Sequence, residues 1–472
     1  MKTSLAAGAL ASLATLAAAV NPVKIAGSQF VDSVTNKRVM IIGVDYQPGG
    51  QAGYKPDEDR DPLSDAEVCL RDATIMQQLG INTIRVYNVD PTLNHDECAS
   101  IFNYAGMYMI VDVNAPFGGE SLDRSDPEGS YHVGYLSRTF GVVEAFKNYP
   151  NTMGFFAANE VMNDMDTAEK NPQYIRAIQR DIKNYIAKNS ERAIPVGYSA
   201  ADVRPILQDS WAYFQCKIGD NDVSRSDFFG LNSYSWCGAD ATFESAGFDK
   251  LATMFEKTSV PVFFSEYGCN EVTPRSFNEV QSLYGTKLTA LSGGLVYEYS
   301  QEESNYGLVD SFDNGTVHFR IDYDNLKNQY SKLDIGLIQS TSPSAASQDP
   351  PQCDKSLITN SKFSSEFNIP DTPDEITEVI NSGLSNPNQG KLVPVTKTDV
   401  VGDIFAVDWT PIQGLKLVEV KDGESNLPSG ASGSGTGTSG GPEPTKTGAA
   451  SAMTVNSMFA LVAAAVVLVV SL

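Results

Sequence analysis

Positive charge is scarce in this chain: 34 lysines and arginines face 58 aspartates and glutamates, a net charge of −24 at pH 7. Such a field repels phosphate backbones, which excludes nucleic acid as a partner and makes a neutral polymer the more natural one. Tryptophan is nearly missing, with 3 against 20 tyrosines and 22 phenylalanines. No Cys-x-x-Cys pair occurs among the 6 cysteines, which argues against zinc or another bound metal. After the first apolar run the chain reads GVDYQPGG, not Gly-x-Gly-x-x-Gly, so the usual mark of a dinucleotide-binding sheet is missing. What is present suffices for a sizeable core: the 472 residues are 42% hydrophobic and 10% aromatic. That length fits one large domain or two medium ones.

The two ends say where the protein works. MKTSLAAGALASLATLAAAV carries one basic residue, an Ala/Leu-rich centre and then Ala17-Ala18-Ala19, which reads as a secretory signal over residues 1–19. At the far end Met458–Leu472 is apolar apart from Ser471. It falls short of the roughly 20 residues of a bilayer span, and no basic residue follows it. Small residues, Thr447-Gly448-Ala449-Ala450-Ser451, precede it, so residues 449–472 read as a GPI-anchor signal removed on maturation. The alternative is a tail-anchored helix. Residues 429–448, SGASGSGTGTSGGPEPTKTG, form a flexible spacer. Together these segments place the mature protein on the extracellular face of the plasma membrane, with the cell wall as a second location. In a secreted chain 6 cysteines imply up to three disulfides, whose connectivity the sequence leaves open. Asn314-Gly315-Thr316 is a glycosylation sequon.

Between residues 38 and 302 strand-like and helix-like blocks alternate. The strand-like runs are RVMIIGVDY (38–46), INTIRVYNV (81–89), MYMIVDVNA (107–115), TMGFFAANE (152–160), AIPVGYSAAD (193–202), FFGLNSYSW (228–236), VPVFFSEYG (260–268) and GGLVYEYSQ (293–301). Helices are expected over 64–80, from His95, around 139–148, over 172–190, and near 243–258 and 276–290; the first opens with the capping pattern Ser64-x-x-Glu67 and closes on Gly80. Continuous apolar runs suit strands covered on both faces, hence a parallel sheet. Eight β/α units in about 265 residues match a (β/α)₈ TIM barrel, which is typically about 250. An open doubly wound sheet is the competing arrangement. The barrel is therefore expected over 20–340, with a small irregular segment over 341–428 packed on it: DEITEVINSG suggests a short helix, and KLVPVTKTDVVGDIFAVDW one or two strands.

Two of the apolar runs end in an acid, Glu160 after GFFAAN and Glu266 after VPVFFS. In a barrel these residues close the fourth and seventh strands, and active sites sit at that end. Paired carboxylates are what glycoside hydrolysis requires: one holds a proton for the leaving oxygen, the other is ionised to attack the anomeric carbon or activate water. A strand-end acid is more often a surface residue, so it is the pairing that carries the inference. Asn159 next to Glu160 sharpens it. Adjacent strand residues point to opposite faces, so both reach one mouth only if the strand end bulges or breaks register.

Taken in order, GVDYQPGG, INTIRVYNVDP, DVNAP, FFAANEV, GYSAAD, SDFFGLNSYSWCG, VPVFFSEYGCN and GLVYEYSQEESNYGLV resemble the fungal GPI-anchored β-1,3-glucanosyltransferases of the Gas/Gel/Phr group, glycoside hydrolase family 72. The resemblance runs from about residue 24 to 340. It implies a retaining enzyme that cleaves inside one β-1,3-glucan chain and passes the new reducing end to the non-reducing end of another, without a cofactor and as a monomer. Glu160 is then acid/base and Glu266 nucleophile. Gln47, Tyr87, Asp112 and Asn159 line the donor side, Asp202 and Arg204 resemble acceptor contacts, and Tyr234 stands by Glu266. Tyr297 and Tyr299, at strand spacing, both face the mouth while Glu298 points away, with Tyr306 on the next loop. A tyrosine on a barrel strand is as often core, so the cluster carries this reading rather than any one ring. The family also suggests the disulfides Cys69–Cys98, Cys216–Cys353 and Cys237–Cys269. With a single cysteine after Cys269, the chain belongs with the members that lack a cysteine-rich glucan-binding module. Two other functions compete: a plain endo-β-glucanase, in which water outcompetes the acceptor, and a non-catalytic wall-binding protein.

Overall fold

The computed structural model of this chain describes residues 20–340 and 348–429. The expected signal peptide, the spacer beyond Ser429 and the anchor signal lie outside the described residues. A hairpin of β1 (Val23–Ala26) and β2 (Gln29–Asp32) comes first. Eight parallel strands then close a barrel: β3 (Ile41–Tyr46), β4 (Thr83–Val86), β5 (Tyr108–Asp112), β6 (Thr152–Asn159), β7 (Val196–Ala201), β8 (Phe228–Ser233), β9 (Val262–Tyr267) and β10 (Leu291–Val296), with β10 pairing back onto β3. All eight apolar runs become barrel strands, so the (β/α)₈ expectation holds and the open sheet is ruled out.

Each strand serves two cores. Residues such as Phe229, Val262 and Phe264 face the helices, whereas Phe156, Phe228, Phe263 and Leu295 fill the interior. Phe30 of the hairpin packs on Phe228 and Phe263 near the starts of their strands, so the hairpin covers the N-terminal end and leaves the opposite mouth open. The first helix, Ala66–Leu79, starts one residue later than the capping pattern suggested. Asp65, not Ser64, accepts from the Glu67 and Val68 amides, because Ser64 is engaged by the Asp61 turn. Gly80 ends that helix at φ 81°, a left-handed cap that glycine adopts without a Cβ clash.

After the barrel, β11 (Val309–Ser311) and β12 (Val317–Phe319) form a hairpin, extended by β13 (Ile404–Phe405) and β14 (Pro411–Ile412) into a four-stranded sheet. The rest of 348–429 is mainly irregular and lies along the barrel. Its helix Asp374–Ser382 buries Ile376 and Ile380, and its backbone is held by barrel side chains. Asp209 accepts from the Thr359 and Asn360 amides, Asp96 from Lys391 and Ser100 from Val393. Three disulfides, Cys69–Cys98, Cys216–Cys353 and Cys237–Cys269, pair as the resemblance implied.

The Cys216–Cys353 bond spans 137 residues and ties the start of the extension to the barrel. Replacing both cysteines with alanine releases a long loop and is expected to cost about 2–4 kcal/mol. Thermal unfolding should show a lower Tm, and limited proteolysis should cut first within 348–429. An unchanged Tm with an equally resistant extension would contradict this account.

Candidate active site

The floor of the mouth is built on Arg85, in the third position of β4 and without solvent exposure. Its Nη2 donates to Asp112 Oδ2 at 2.9 Å, and its Nη1 donates to Glu266 Oε1 and to the Ser265 carbonyl, both at 3.2 Å. The guanidinium lies between two rings, 4.3 Å from the Tyr87 centroid and 4.5 Å from that of Phe156. Burial works against its charge, but Asp112, Tyr87, Glu266 and Asp45 outweigh it and hold the pKa well above the ordinary arginine value.

Glu266 stands above this floor. Oε1 accepts from Tyr87 Oη at 2.9 Å, and Oε2 from Tyr234 Oη at 2.6 Å. Burial pushes its pKa up to about 6, Arg85 opposes that, nearby Glu160 adds to it, and the two tyrosine hydroxyls hold it down. Near neutral pH the carboxylate is therefore ionised, with each oxygen fixed by a donor. It reaches the interior because β9 carries a register shift against β8 between the Leu231 and Asn232 pairings, so that Asn232 pairs with Glu266 instead of Ser265. Without that extra residue Glu266 would fall on the helix-facing side.

Glu160 arrives by a similar device. β6 slips against β7 between Phe156 and Ala158, and Glu160 itself sits at φ 48°, a left-handed conformation unusual for glutamate. Asn159 and Glu160 consequently meet the same partner: Asn232 Nδ2 donates to Asn159 Oδ1 at 3.1 Å and to Glu160 Oε1 at 2.9 Å. The Asn232 carbonyl oxygen accepts from Ser265 Oγ at 2.7 Å and Ser199 Oγ at 3.1 Å, while the Glu160 oxygen calls for the NH₂ on its side.

Around the acids, Tyr234, Tyr297 and Tyr306 form a wall with ring centroids 5.3–6.3 Å apart. The Cys237–Cys269 disulfide joins the loops that follow β8 and β9 beside it. Gln47, directly after β3, is buried, and its Nε2 meets no acceptor among the described residues. Asp202 and Arg204 form an ion pair at 2.5 Å on the rim, and Asp202 also accepts from Ser233 Oγ. Cys237, Cys269 and Glu271 lie close enough together to suggest a metal site, but both sulfurs are spent in the disulfide.

One expected residue does not come to the mouth. Tyr299 is fully buried on the helix side, donating to Asp72 Oδ1 at 2.8 Å and packing on Tyr46. The strand alternation expected for Tyr297 and Tyr299 fails because β10 ends at Val296, before either of them. Glu298, expected to point away, is buried too. Burial and the adjacent Glu302 push its pKa up to about 9, so it stays protonated near neutral pH. Sequence reasoning also missed Arg85, Asn232 and Asp45. Asp45 is wholly buried, and burial together with Glu266 holds its pKa well above the carboxylate range. The signal was available: each is a polar residue inside a run otherwise read as buried strand.

A family profile described as Glucanosyltransferase, glycoside hydrolase family 72, matches residues 12–334. The chain is 56% identical over 428 residues to the 1,3-beta-glucanosyltransferase gel2 of Aspergillus fumigatus, covering 90% of this chain and 89% of that protein. It is 47% identical over 413 residues to the probable 1,3-beta-glucanosyltransferase GAS3 of Saccharomyces cerevisiae, covering 83% and 78% respectively. Among solved structures, Saccharomyces cerevisiae Gas2p in complex with laminaripentaose superimposes with a TM-score of 0.67 at 35% identity, over 76% of this chain and 79% of that one.

Because hydroxyl donors favour the ionised form of Glu266, removing one must raise its pKa. In Tyr234→Phe the midpoint, about 6 in the parent, should rise by about 1 unit or more. The check is a carboxyl-carbon NMR titration of glutamate-labelled protein, with Glu266→Gln identifying the resonance. A midpoint that stays or falls would show that Tyr234 does not hold the charge.

Proposed function

This chain belongs to the glucanosyltransferases of glycoside hydrolase family 72, and on that footing we propose that it remodels cell-wall glucan as a retaining 1,3-β-glucanosyltransferase with Glu266 as nucleophile and Glu160 as acid/base. The observation that carries the assignment is the pairing itself: an ionised Glu266 fixed by Arg85, Tyr87 and Tyr234, next to a Glu160 held by a single amide donor from Asn232.

Glu266 attacks the anomeric carbon of an internal β-1,3-linked glucose while Glu160 gives its proton to the departing oxygen, so the C–O bond breaks as the glycosyl ester forms. The positive charge that develops on the sugar faces Glu266, and the ester oxygen that becomes neutral keeps its tyrosine donor. Glu160, now ionised, takes the proton from the hydroxyl at the non-reducing end of a second chain, and that oxygen displaces Glu266. Two inversions return the β-configuration, and the acceptor is longer by the transferred segment.

Gln47 has a donor to spare for a sugar hydroxyl, and Asn159 and Asp112 stand on the same floor. The tyrosine wall offers ring faces on which a pyranose can pack while its hydroxyls stay wet. Asp202 and Arg204 supply polar contacts for the acceptor. The enzyme is read as a monomer whose glucan donor and acceptor lie outside the cell, tethered to the plasma membrane by an anchor added near residue 449 after loss of residues 1–19. The barrel over 20–340 does the chemistry, the segment 341–428 braces it, and 429–448 is the leash.

The test is product size. Purified protein is incubated with a reduced linear β-1,3-glucan oligosaccharide of one length. Products longer than the starting chain are expected, and Glu160→Gln and Glu266→Gln should each lower the rate by at least about 10³-fold. Shorter products alone would make the enzyme a hydrolase. No turnover by the folded parent would make it a binding protein.

A further inference from the structure

Away from the mouth, the four-stranded sheet carries an aromatic surface that the reaction does not use. In the β11–β12 hairpin, Val309 pairs with Phe319, Asp310 with His318 and Ser311 with Val317. Val309, Val317 and Phe319 are buried, so the alternation puts Asp310, Phe312, Thr316 and His318 on the outward face. The turn is tight: the Gly315 amide donates to the Phe312 carbonyl at 2.9 Å, the Phe312 amide to the Thr316 carbonyl at 3.0 Å, and Gly315 sits at φ 83°. Exposed Asn314 lies at its tip, two residues after Phe312 and two before Thr316.

A second turn, between β13 and β14, has the same bonds. The Ala406 amide donates to the Thr410 carbonyl and the Trp409 amide to the Ala406 carbonyl, both at 2.9 Å. Its left-handed position, filled by Gly315 in the first turn, is filled here by Trp409 at φ 63°. A bulky residue takes that conformation at a steric cost glycine escapes. Trp409 nevertheless remains 54% exposed, stacked 3.9 Å from His318, with its ring centroid 6.4 Å from that of Phe312, which is itself 46% exposed. Two exposed rings, one of them strained into place, thus flank a glycosylation sequon at a hairpin tip.

We propose that Asn314 carries an N-linked glycan whose first N-acetylglucosamine packs its C–H face on Phe312 and whose second sugar reaches Trp409, so that the glycan clamps the sheet joining the C-terminal extension to the barrel. The turn gives Phe312, Asn314 and Thr316 the spacing this needs. A side chain leaving the tip and folding back along the outward face crosses Phe312 before it reaches Trp409. The modification draws on a lipid-linked diphospho-oligosaccharide. The Asn314 Nδ2–C1 bond forms as the C1–O bond to diphosphate breaks, and the amide proton leaves with the polyprenyl diphosphate. Three disulfides among the described residues fit the oxidising secretory route on which that donor is met.

The experiment uses the full protein secreted from a glycosylating host. Peptide mass spectrometry should find Asn314 occupied. The parent should melt about 2 °C above Asn314→Gln, and most of that increment should survive trimming to one N-acetylglucosamine. In Phe312→Ala the increment should vanish, in Trp409→Ala the untrimmed glycan should lose part of it, and Phe312→Tyr should retain it. A merely structural role for either ring would lower Tm equally with and without the glycan, and that additive result overturns the proposal. So does an unmodified Asn314. An unmodified Asn314 combined with Trp409-dependent retention of the protein on insoluble β-1,3-glucan would assign the platform to a glucan chain instead.

Discussion

A guanidinium without solvent exposure governs the mouth of this barrel. Stripping a cation of its hydration costs several kcal/mol even after relaxation, and Arg85 offsets that with two carboxylates and two ring faces. The requirement works in both directions. Arg85 draws on both carboxylates, and Arg85 in turn opposes the burial that pushes the Asp112 and Glu266 pKa values up. Burial and the Glu266 charge meanwhile hold the Asp45 carboxyl well above the usual carboxylate range. With its pKa at about 6, Glu266 is ionised near neutral pH, and in the proposed mechanism that anion faces the sugar as its transition state becomes positive. The ion pair that lets the strands be buried is thus also the one that holds Glu266 at the mouth.

The polar network inside the barrel follows from the same need for fixed orientation. Asn232 serves Glu160 only if its NH₂ points outward, and a free amide could flip. The acceptor oxygens of Glu160 and Asn159 demand the NH₂, and Ser199 and Ser265 then donate to the carbonyl oxygen on the other side. The packing around this network is close: a Cβ added at Gly230 would lie 2.5 Å from Ser265 Oγ. Serines and an asparagine inside otherwise apolar strands are therefore positioning groups, and the register slips in β6 and β9 bring the two acids to them.

How far this was legible in the sequence depended on whether the pattern was local. The eight strands could be read because each is a continuous apolar run, which a parallel sheet covered on both faces demands. The acids could be read because each ends such a run. The neighbours Asn159 and Glu160 could reach one mouth only through an irregular strand end, and the bulge plus the left-handed Glu160 are the form it takes. Tyr299 was misplaced because regular alternation was extended past Val296, where the strand stops. Arg85, Asn232 and Asp45 were overlooked because their meaning is tertiary. Arg85 in INTIRVYNV has no local cue that Asp112 and Glu266, from two other strands, will surround it.

The extension poses a different physical problem, since a segment whose described residues form one short α-helix, a 3₁₀ turn and two-residue strands cannot pay for its own ordering with a core. It is ordered by surfaces shaped to receive its backbone. Gly80 and Gly106 end barrel helices with left-handed φ of 81° and 76°, and a Cβ at either would meet the extension: Pro428 N at 2.2 Å in the first case, Asn426 N at 2.7 Å in the second. Gly390 of the extension lies as tightly on Tyr149. Asn426 Nδ2 donates to the Gln77 and Ile81 carbonyls at the end of the first helix, and Asn388 Nδ2 to the Pro91 carbonyl. The glycines that terminate helices so that the β/α units can repeat are thus the same ones that make room for the extension. A side chain introduced at Gly80 or Gly106 would strain the helix cap and displace the segment together, so the barrel and its wrapping order each other.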